Sequence, residues 1–194
     1  MAQRLFCFSG GEIGGWRVER MQTLAGEPLA SVARIDVIAG YGAPSPSGLW
    51  RLRGVTSNER YVTGGEKARL VAKQPGLGRP EASCAALIPI RKSDLWWAMP
   101  QDERRRIFEE QSTHIATGLK YLPAVARRLH HCRDLGTAEP FDFLTWFEFA
   151  PAHAAAFGKL LAELRASPEW RYVDRELELR LVRDDDETHP PPEM

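Results

Sequence analysis

The sequence FDFLTWFEFAPAHAAAFGKLLAELRASPEWRYVDRELELRLV, residues 141–182, gives the clearest indication of the fold. It begins with Phe141–Phe149, an aromatic run of strand length. Pro151–Arg165 is rich in alanine and places its larger apolar side chains at helical spacing on one side. From Arg171 to Val182, apolar and charged residues then alternate with the period of a strand. This order predicts a β-α-β unit in which a helix covers one face of a sheet, as in α+β domains.

The first half of the chain contains further segments of strand character. Residues 4–8, 16–21 and 33–39 are short apolar or alternating runs that end at polar residues or glycine. Residues 49–62 alternate and run into a polar turn, and residues 84–90 are continuously apolar. These segments extend the predicted sheet, and the absence of a repeat period of 20 to 50 residues argues against a solenoid.

Three other segments have less regular patterns. Gly64–Lys73 is compatible with either a strand or a helix. Gln74–Ser83 contains two prolines and two glycines, which predicts a loop that could be mobile. The acidic, proline-rich end of the chain, residues 184–194, is expected to be disordered.

A helical pattern runs from about Pro100 to Lys120 and includes one histidine. His114 falls on the same face as several apolar residues, and Gly118 follows it one turn later. Pro123 interrupts the pattern, and Ala124–His131 is predicted to resume as a second short helix.

Composition excludes several classes of protein. The chain has 26 lysines and arginines against 26 aspartates and glutamates, so it lacks the basic excess expected of a non-specific nucleic-acid binder. Its three cysteines are far apart and odd in number, which argues against a disulfide framework and a CxxC site. No apolar run approaches the roughly 18 residues of a membrane span. We therefore expect a soluble, cytoplasmic protein with neither nucleic acid nor membrane as a partner.

His114 has two interpretations that spacing alone does not separate. It could be a core histidine satisfied by hydrogen bonds, or it could be a metal ligand. The small residues Ala116, Thr117 and Gly118 favour the second, because they leave room for a flat macrocycle to approach the helix. No second histidine lies at the spacing of a tetrahedral metal site, which points to haem iron held by a single imidazole.

The triplet His130-His131-Cys132 is a competing set of metal donors. Consecutive helical side chains point about 100° apart and do not converge on one ion, which favours a polar helix end.

Arg127 is the second candidate. A mid-helix arginine is often a surface residue whose alkyl stem lies on apolar neighbours. If His114 binds iron, however, the guanidinium of Arg127 could hold a small anion at the open coordination position.

Several of these segments together resemble the chlorite dismutase family of haem b proteins, in its short, dimeric branch. The resemblance covers roughly Leu49–Arg183, and the motifs that carry it are IRKSDLWW at 90–97, GVTSNERYV at 54–62, EEQSTHIATGLKYLPAVARRLHHCRDLG at 109–136, EPFDFLTWFEF at 139–149 and EWRYVDRE at 169–176.

The resemblance implies a fold of two ferredoxin-like halves joined into a barrel-like unit. The corresponding boundaries are a truncated N-terminal half at residues 1–95, a haem-binding half at 96–183 and the tail at 184–194.

The resemblance also implies the roles of individual residues. His114 corresponds to the proximal haem ligand and Arg127 to the distal arginine. Lys92 and Glu163 correspond to the hydrogen-bonded partners of the proximal histidine. From its position in the helix alone, Glu163 could equally be a residue that faces solvent. Tyr61, Trp96 and Trp97 correspond to residues that line haem and its propionates. Gln74 corresponds to a distal amide that holds the arginine in place.

The function implied is the conversion of chlorite into chloride and dioxygen by a homodimer that binds haem b. In this reaction Arg127 would retain the hypochlorite-level fragment until the O–O bond forms. The alternatives are a coproheme decarboxylase or peroxidase-like haem enzyme, in which a tyrosine near a propionate carries the chemistry, and a haem carrier or sensor without turnover.

Overall fold

Eight antiparallel strands close into a barrel in this computed structural model, which describes residues 4–40, 48–56, 61–136 and 138–184. The strand order around the barrel is β1-β3-β2-β8-β5-β7-β6-β4, and β4 returns to β1. The strands are β1 Leu5–Gly11, β2 Trp16–Ala25, β3 Arg34–Ala39, β4 Gly48–Val55, β5 Cys84–Lys92, β6 Val125–His131, β7 Phe143–Phe149 and β8 Val173–Arg183. The mixed α/β class and the barrel expected from the sequence are confirmed.

The helices of the described residues are concentrated in the second half of the chain. They are α1 Gly64–Lys73, α2 Asp94–Ala98, α3 Gln101–Arg105, α4 His114–Lys120 and α5 Ala154–Arg165. A π-helical turn, Arg106–Gln111, joins α3 towards α4, and three 3₁₀ turns occur at Arg133–Leu135, Pro151–His153 and Pro168–Tyr172. None of these helices is long and apolar enough to cross a membrane.

The unit predicted from residues 141–182 is confirmed, with α5 between β7 and β8. Phe157, Leu160, Leu161 and Leu164 are the buried residues of α5, and they pack on side chains of β5 and β7. Each such side chain contributes about 1.5–3 kcal/mol when it is fully buried. Because β5 lies between β7 and β8, a single helix covers a continuous part of the outer face of the barrel.

The segment Ala124–His131, predicted as a helix, forms strand β6 instead. It pairs with β7 from Val125↔Phe149 to His131↔Phe143. The apolar residues of this segment are too few to show a period, and its conformation is decided by pairing with β7, the next strand along the chain. Tertiary pairing therefore overrides the local pattern.

The segment Pro100–Lys120, predicted as one helical stretch, is divided into separate helical pieces. The π-helical turn follows α3, and Thr113 then takes a left-handed conformation with φ 50° before α4 starts at His114. His114 is therefore the first residue of a short helix and not a residue within a long one.

The two segments that follow β4 and had less regular patterns, residues 64–73 and 74–83, are held by specific hydrogen bonds. Residues 64–73 form helix α1, whose first turn carries a capping box between Thr63 and Glu66. In the following loop, Gly78 N–H donates to Glu148 at 2.5 Å. The Arg183 guanidinium donates to the carbonyl of Arg79 at 2.9 Å. The loop predicted to be mobile is thus tied to two strands. Apart from Asp184, the tail predicted to be disordered lies outside the described residues.

A neutral histidine is enclosed within the barrel. His130 is fully buried between the rings of Phe6 and Phe8, each with a centroid 5.1 Å away. Its Nδ1 lies 3.0 Å from the Leu144 carbonyl, and its Nε2 accepts a hydrogen bond from Arg128 Nε at 3.0 Å. Burial lowers the pKa of His130 to about 4, and the charge of Arg128 acts in the same direction. The imidazole is therefore neutral and carries its proton on Nδ1.

His130 should make the fold sensitive to mild acid. The unfolded chain takes up this proton near pH 6.5, whereas the folded protein resists protonation until about pH 4. The contribution of His130 to the free energy of unfolding should therefore be fully present above pH 6.5. It should fall by up to about 1.4 kcal/mol per pH unit as the pH drops towards 4. Urea unfolding between pH 4 and 7 measures this slope.

The matched comparison for this slope uses two substitutions. His130→Gln should flatten the slope between pH 6.5 and 4, whereas His153→Gln, at an exposed position, should leave it unchanged. A His130→Gln protein with the parental slope would contradict this assignment.

Candidate functional site

A cavity lies between the outer face of β5, β6 and β7 and the helices α1, α4 and α5. Its volume is about 320 Å³. The apolar part of its lining includes Val62, Leu70, Ile88, Ile90, Ile115, Phe147, Leu161 and Leu164. The polar part includes Lys92, His114, Arg127, Gln74 and Glu169. An apolar cavity with a few convergent polar groups is the usual form of a ligand site.

A single buried carboxylate joins His114 to Lys92. Glu169, in the 3₁₀ turn after α5, contacts His114 Nδ1 with Oε2 at 2.7 Å. Its other oxygen accepts a hydrogen bond from Lys92 Nζ at 2.7 Å. Lys92 is the last residue of β5 and His114 is the first residue of α4, so three separate elements meet at this carboxylate.

The charges of this group determine where the protons lie. Burial by itself raises the pKa of Glu169, but His114, Lys92 and the hydrogen bonds from both outweigh it and lower the pKa to about 2. Glu169 is therefore ionised and accepts a hydrogen bond from His114 Nδ1. Nε2 of His114 has no hydrogen-bond partner among the described residues, so it is the ring nitrogen that a metal ion could reach.

Two tryptophans surround the Lys92 ammonium group. Lys92 Nζ lies 4.7 Å from the ring centroid of Trp96 and 5.5 Å from that of Trp170. Trp96 lines the cavity and is 1% exposed, yet its indole N–H has no hydrogen-bond partner within the described part of the chain. An orphaned donor in a cavity is satisfied when a ligand supplies an acceptor.

Arg127 brings an uncompensated positive charge to the same cavity. It is half-buried on β6, and no described carboxylate forms an ion pair with it. Burial lowers its pKa from the ordinary value. Its guanidinium lies against α4 at Gly118, where a Cβ would come within 3.2 Å of Nη1. The space that Gly118 leaves open is therefore filled by Arg127 in this structure.

Gln74 supports Arg127 through the main chain. Its Nε2 donates to the Arg127 carbonyl at 2.8 Å. Among the described residues, β4 pairs with β6 only at Val55↔His131, and no described strand pairs with the rest of that edge of β6. The Gln74 side-chain amide supplies a bond to the backbone there, and the backbone N–H of Gln74 caps the end of α1 by donating to the Leu70 carbonyl.

Tyr61 and Trp97, both predicted to line the site, differ in position. Tyr61 lines the cavity, with its ring centroid 6.1 Å from that of Trp96. Trp97 is not among the lining residues. It stacks behind Phe143 at 5.9 Å, and its Nε1 donates to Asp142 at 3.0 Å.

Glu163 is not the partner of His114, and Glu169 takes that position. The Glu163 side chain is 43% exposed on α5, where Lys120 and Tyr121 donate to it, whereas the Glu169 side chain is 4% exposed. The amphipathic pattern of α5 already places residue 163 beside the buried stripe and not within it. Phe108 and Trp170 were also missed, because an aromatic residue in a short turn has no periodic signature.

The cavity has the chemical features that haem b requires. It is largely apolar, and it offers one imidazole nitrogen without a described hydrogen-bond partner and an orphaned indole donor that would suit a propionate. No group of three or more His, Cys, Asp or Glu side chains in the described segments is placed to hold a metal ion by itself. These residues fit iron that already has a macrocycle as its main ligand.

Comparison with known proteins agrees with this chemistry. The chlorite dismutase family model matches residues 46–183, well over half of the chain. The chain belongs to the chlorite dismutase family. Within this family, a dimeric chlorite dismutase from Nitrobacter winogradskyi is 54% identical and has a TM-score of 0.84, with 92% of this chain and 99% of that chain covered.

More distant members of the family also match. Chlorite dismutase from Candidatus Nitrospira defluvii, in complex with imidazole, is 27% identical over 70% of this chain and 56% of that chain, with a TM-score of 0.56. Chlorite dismutase from Ideonella dechloratans is 33% identical over 88 residues. That match covers 45% of this chain and 28% of the relative.

The two glutamates provide a direct test of the site geometry. Glu169→Gln leaves Lys92 buried without a counter-charge, which typically costs about 3–5 kcal/mol in the free energy of unfolding. Glu163→Gln changes an exposed residue and should stay within about 0.5 kcal/mol of the parent. Chemical denaturation at pH 7 measures both. Equal effects of the two substitutions would contradict the placement of Glu169.

Proposed function

We propose that this protein is a haem b-dependent enzyme that converts chlorite into chloride and dioxygen. The observation that carries the proposal is the guanidinium of Arg127, which forms no ion pair with any described carboxylate, in the cavity that also contains the His114–Glu169–Lys92 group. A haem carrier that binds iron through an imidazole needs no such cation, whereas an enzyme that acts on a small anion does.

The cofactor would be held by residues on both sides of the cavity. His114 Nε2 would bind the iron, and the Trp96 indole N–H would bind a propionate. Tyr61 and the apolar residues of β5 and α5 would cover the macrocycle. Trp97 would support this wall from behind through Phe143. Haem iron, when bound, supplies the redox centre at which oxygen is removed from chlorite.

Glu169 and Lys92 would control the basicity of the ligand. The ionised Glu169 carboxylate holds the proton at His114 Nδ1, and a carboxylate partner makes an imidazole a stronger electron donor. Lys92 in turn fixes the position of the carboxylate and offsets its charge. A lysine there is important because an unpaired carboxylate would not remain ionised in an apolar environment.

Arg127 would bind chlorite and then retain the chlorine oxyanion that remains after the first oxygen is removed. Escape of this oxidant would damage the protein and the cofactor. A hydrogen bond to a charged group contributes about 1.5–3 kcal/mol, which corresponds to roughly a 10- to 100-fold longer residence. Gln74 would act indirectly, by holding the main chain of Arg127.

Arg127→Ala should reduce the number of turnovers before inactivation by about 10-fold or more, because the oxyanion is no longer retained. Arg127→Lys, which keeps the charge and loses the planar fork, should be intermediate. Total oxygen released per protein, followed with an oxygen electrode after addition of chlorite to the haem-loaded protein, measures this.

The control for Arg127 is Arg69→Ala, which removes an exposed arginine of α1 and should match the parent. An unchanged oxygen yield in Arg127→Ala would contradict the retention role. Absence of any oxygen from the parent, together with conversion of coproheme into haem under peroxide, would identify a decarboxylase. Haem binding without either reaction would identify a carrier or sensor.

Trp96→Phe should weaken haem binding by about 10- to 100-fold, the equivalent of one hydrogen bond to a carboxylate. The comparison ligand is haem dimethyl ester, which lacks the carboxylates. Equilibrium titration monitored by absorbance should show no comparable loss for the ester. An equal loss for both ligands would show that Trp96 acts through packing alone.

We also propose a homodimer, a suggestion supported by the dimeric relative from Nitrobacter winogradskyi. The strand orders β4-β1-β3-β2 and β8-β5-β7-β6 support two ferredoxin-like halves, since both follow the same pattern. This order favours grouping β5 with the second half, whereas the sequence predicted the boundary between residues 95 and 96. A cytoplasmic location, and the lack of nucleic-acid and membrane partners, stay predictions.

A further inference from the structure

The segment 106–112, which we name the support segment, holds His114, the start of α4 and Glu169 through three different side chains. It consists of the π-helical turn Arg106–Gln111 and the following residue, Ser112. None of its residues is among those assigned above to the iron, the propionate or the anion. π-Helical turns are uncommon, and they occur disproportionately at functional sites.

The first contact fixes the plane of the imidazole. The Phe108 ring lies 4.2 Å from the His114 ring, centroid to centroid, with 22° between the planes. The hydrogen bond to Glu169 restrains Nδ1 along one direction but leaves the ring free to tilt about it. A stacked ring resists that tilt, because tilting would break the parallel contact.

The second contact fixes the backbone that carries His114. The Glu109 carboxylate accepts hydrogen bonds from Ile115 N–H at 2.7 Å and from Ala116 N–H at 3.3 Å. The first amides of a helix need acceptors, and a side chain at the N-cap usually provides one. Thr113 occupies that position and makes no such bond. Glu109 therefore caps α4 from outside the helix and adds a negative charge at the positive end of its dipole.

The third contact fixes the carboxylate partner. Ser112 Oγ accepts a hydrogen bond from Glu169 N–H at 2.9 Å. The 3₁₀ turn with Glu169 is thereby joined to the same segment that holds α4. Both ends of the His114–Glu169 hydrogen bond are consequently anchored on one short piece of chain.

We propose that Phe108, Glu109 and Ser112 are positioning residues that set the orientation of the His114 imidazole before any cofactor binds. Their value to catalysis rests on the proposed function, in which His114 holds the iron. A ligand fixed beforehand would bind iron without first losing rotational freedom, so the support segment would increase both cofactor affinity and the uniformity of the iron environment.

The first test uses the cofactor-free protein. Glu109→Ala should speed hydrogen exchange at the amides of Ile115 and Ala116 by about tenfold, the usual effect of losing a helix cap. Phe108→Leu should increase the ring motion of His114, measured by NMR relaxation of its ¹³C-labelled imidazole, and Phe108→Tyr should restore the parental value. Glu110→Ala, at an exposed neighbouring glutamate, is the matched control.

The second test uses the haem-loaded protein. Phe108→Leu should broaden the iron–imidazole stretching band in the Raman spectrum of the ferrous form, and Phe108→Tyr should not. The positioning role would be overturned if Glu109→Ala exchanged at parental rates or if Glu110→Ala showed the same increase. It would also be overturned if the His114 ring motion in Phe108→Leu matched that of the parent. An iron spectrum that survives His114→Ala would instead overturn the proposed function, while the exchange and relaxation results would still stand.

Discussion

The site depends on one shared anion, the carboxylate of Glu169. It is the point where the end of β5, the start of α4 and the turn after α5 meet, through Lys92, His114 and its own backbone. Such a buried charge is stable only while all its partners are present. The carboxylate therefore links the fold of the second half of the chain to the hydrogen bond that holds His114.

The cavity is electrostatically asymmetric as a result. On one side, Glu169 and Lys92 compensate each other beside the His114 imidazole. On the other side, Arg127 has no described counter-charge, so the cavity as a whole has an excess positive charge within apolar walls. A low-dielectric wall strengthens the attraction of such a charge for a small anion. In the proposed function, this asymmetry would separate the tuning of the iron ligand on one side from the binding of an oxyanion on the other.

The sequence predicted the elements with strong periodicity and failed where distant contacts decide the structure. The unit at 141–182 follows from its alternation, and α5 buries the residues that its pattern selects. β6 was predicted as a helix that resumes the pattern after Pro123, and pairing with β7 makes it a strand instead. His114 and Arg127 were candidates from the local pattern, and family resemblance supplied their roles together with those of Lys92 and Trp96. Glu169 was missed because a 3₁₀ turn has no distinctive pattern and its burial comes from distant segments.

Among the described residues, a single pair, Val55↔His131, joins β4 to β6, and this has a kinetic consequence. Elsewhere in the described barrel each strand is held to its neighbours by at least two register pairs, so separating β4 from β6 breaks the fewest described pairs. Thr56 and His131 border the cavity at this seam. A large flat molecule would therefore meet the lowest barrier to admission there, and the rate of cofactor loading would depend on how often this seam opens.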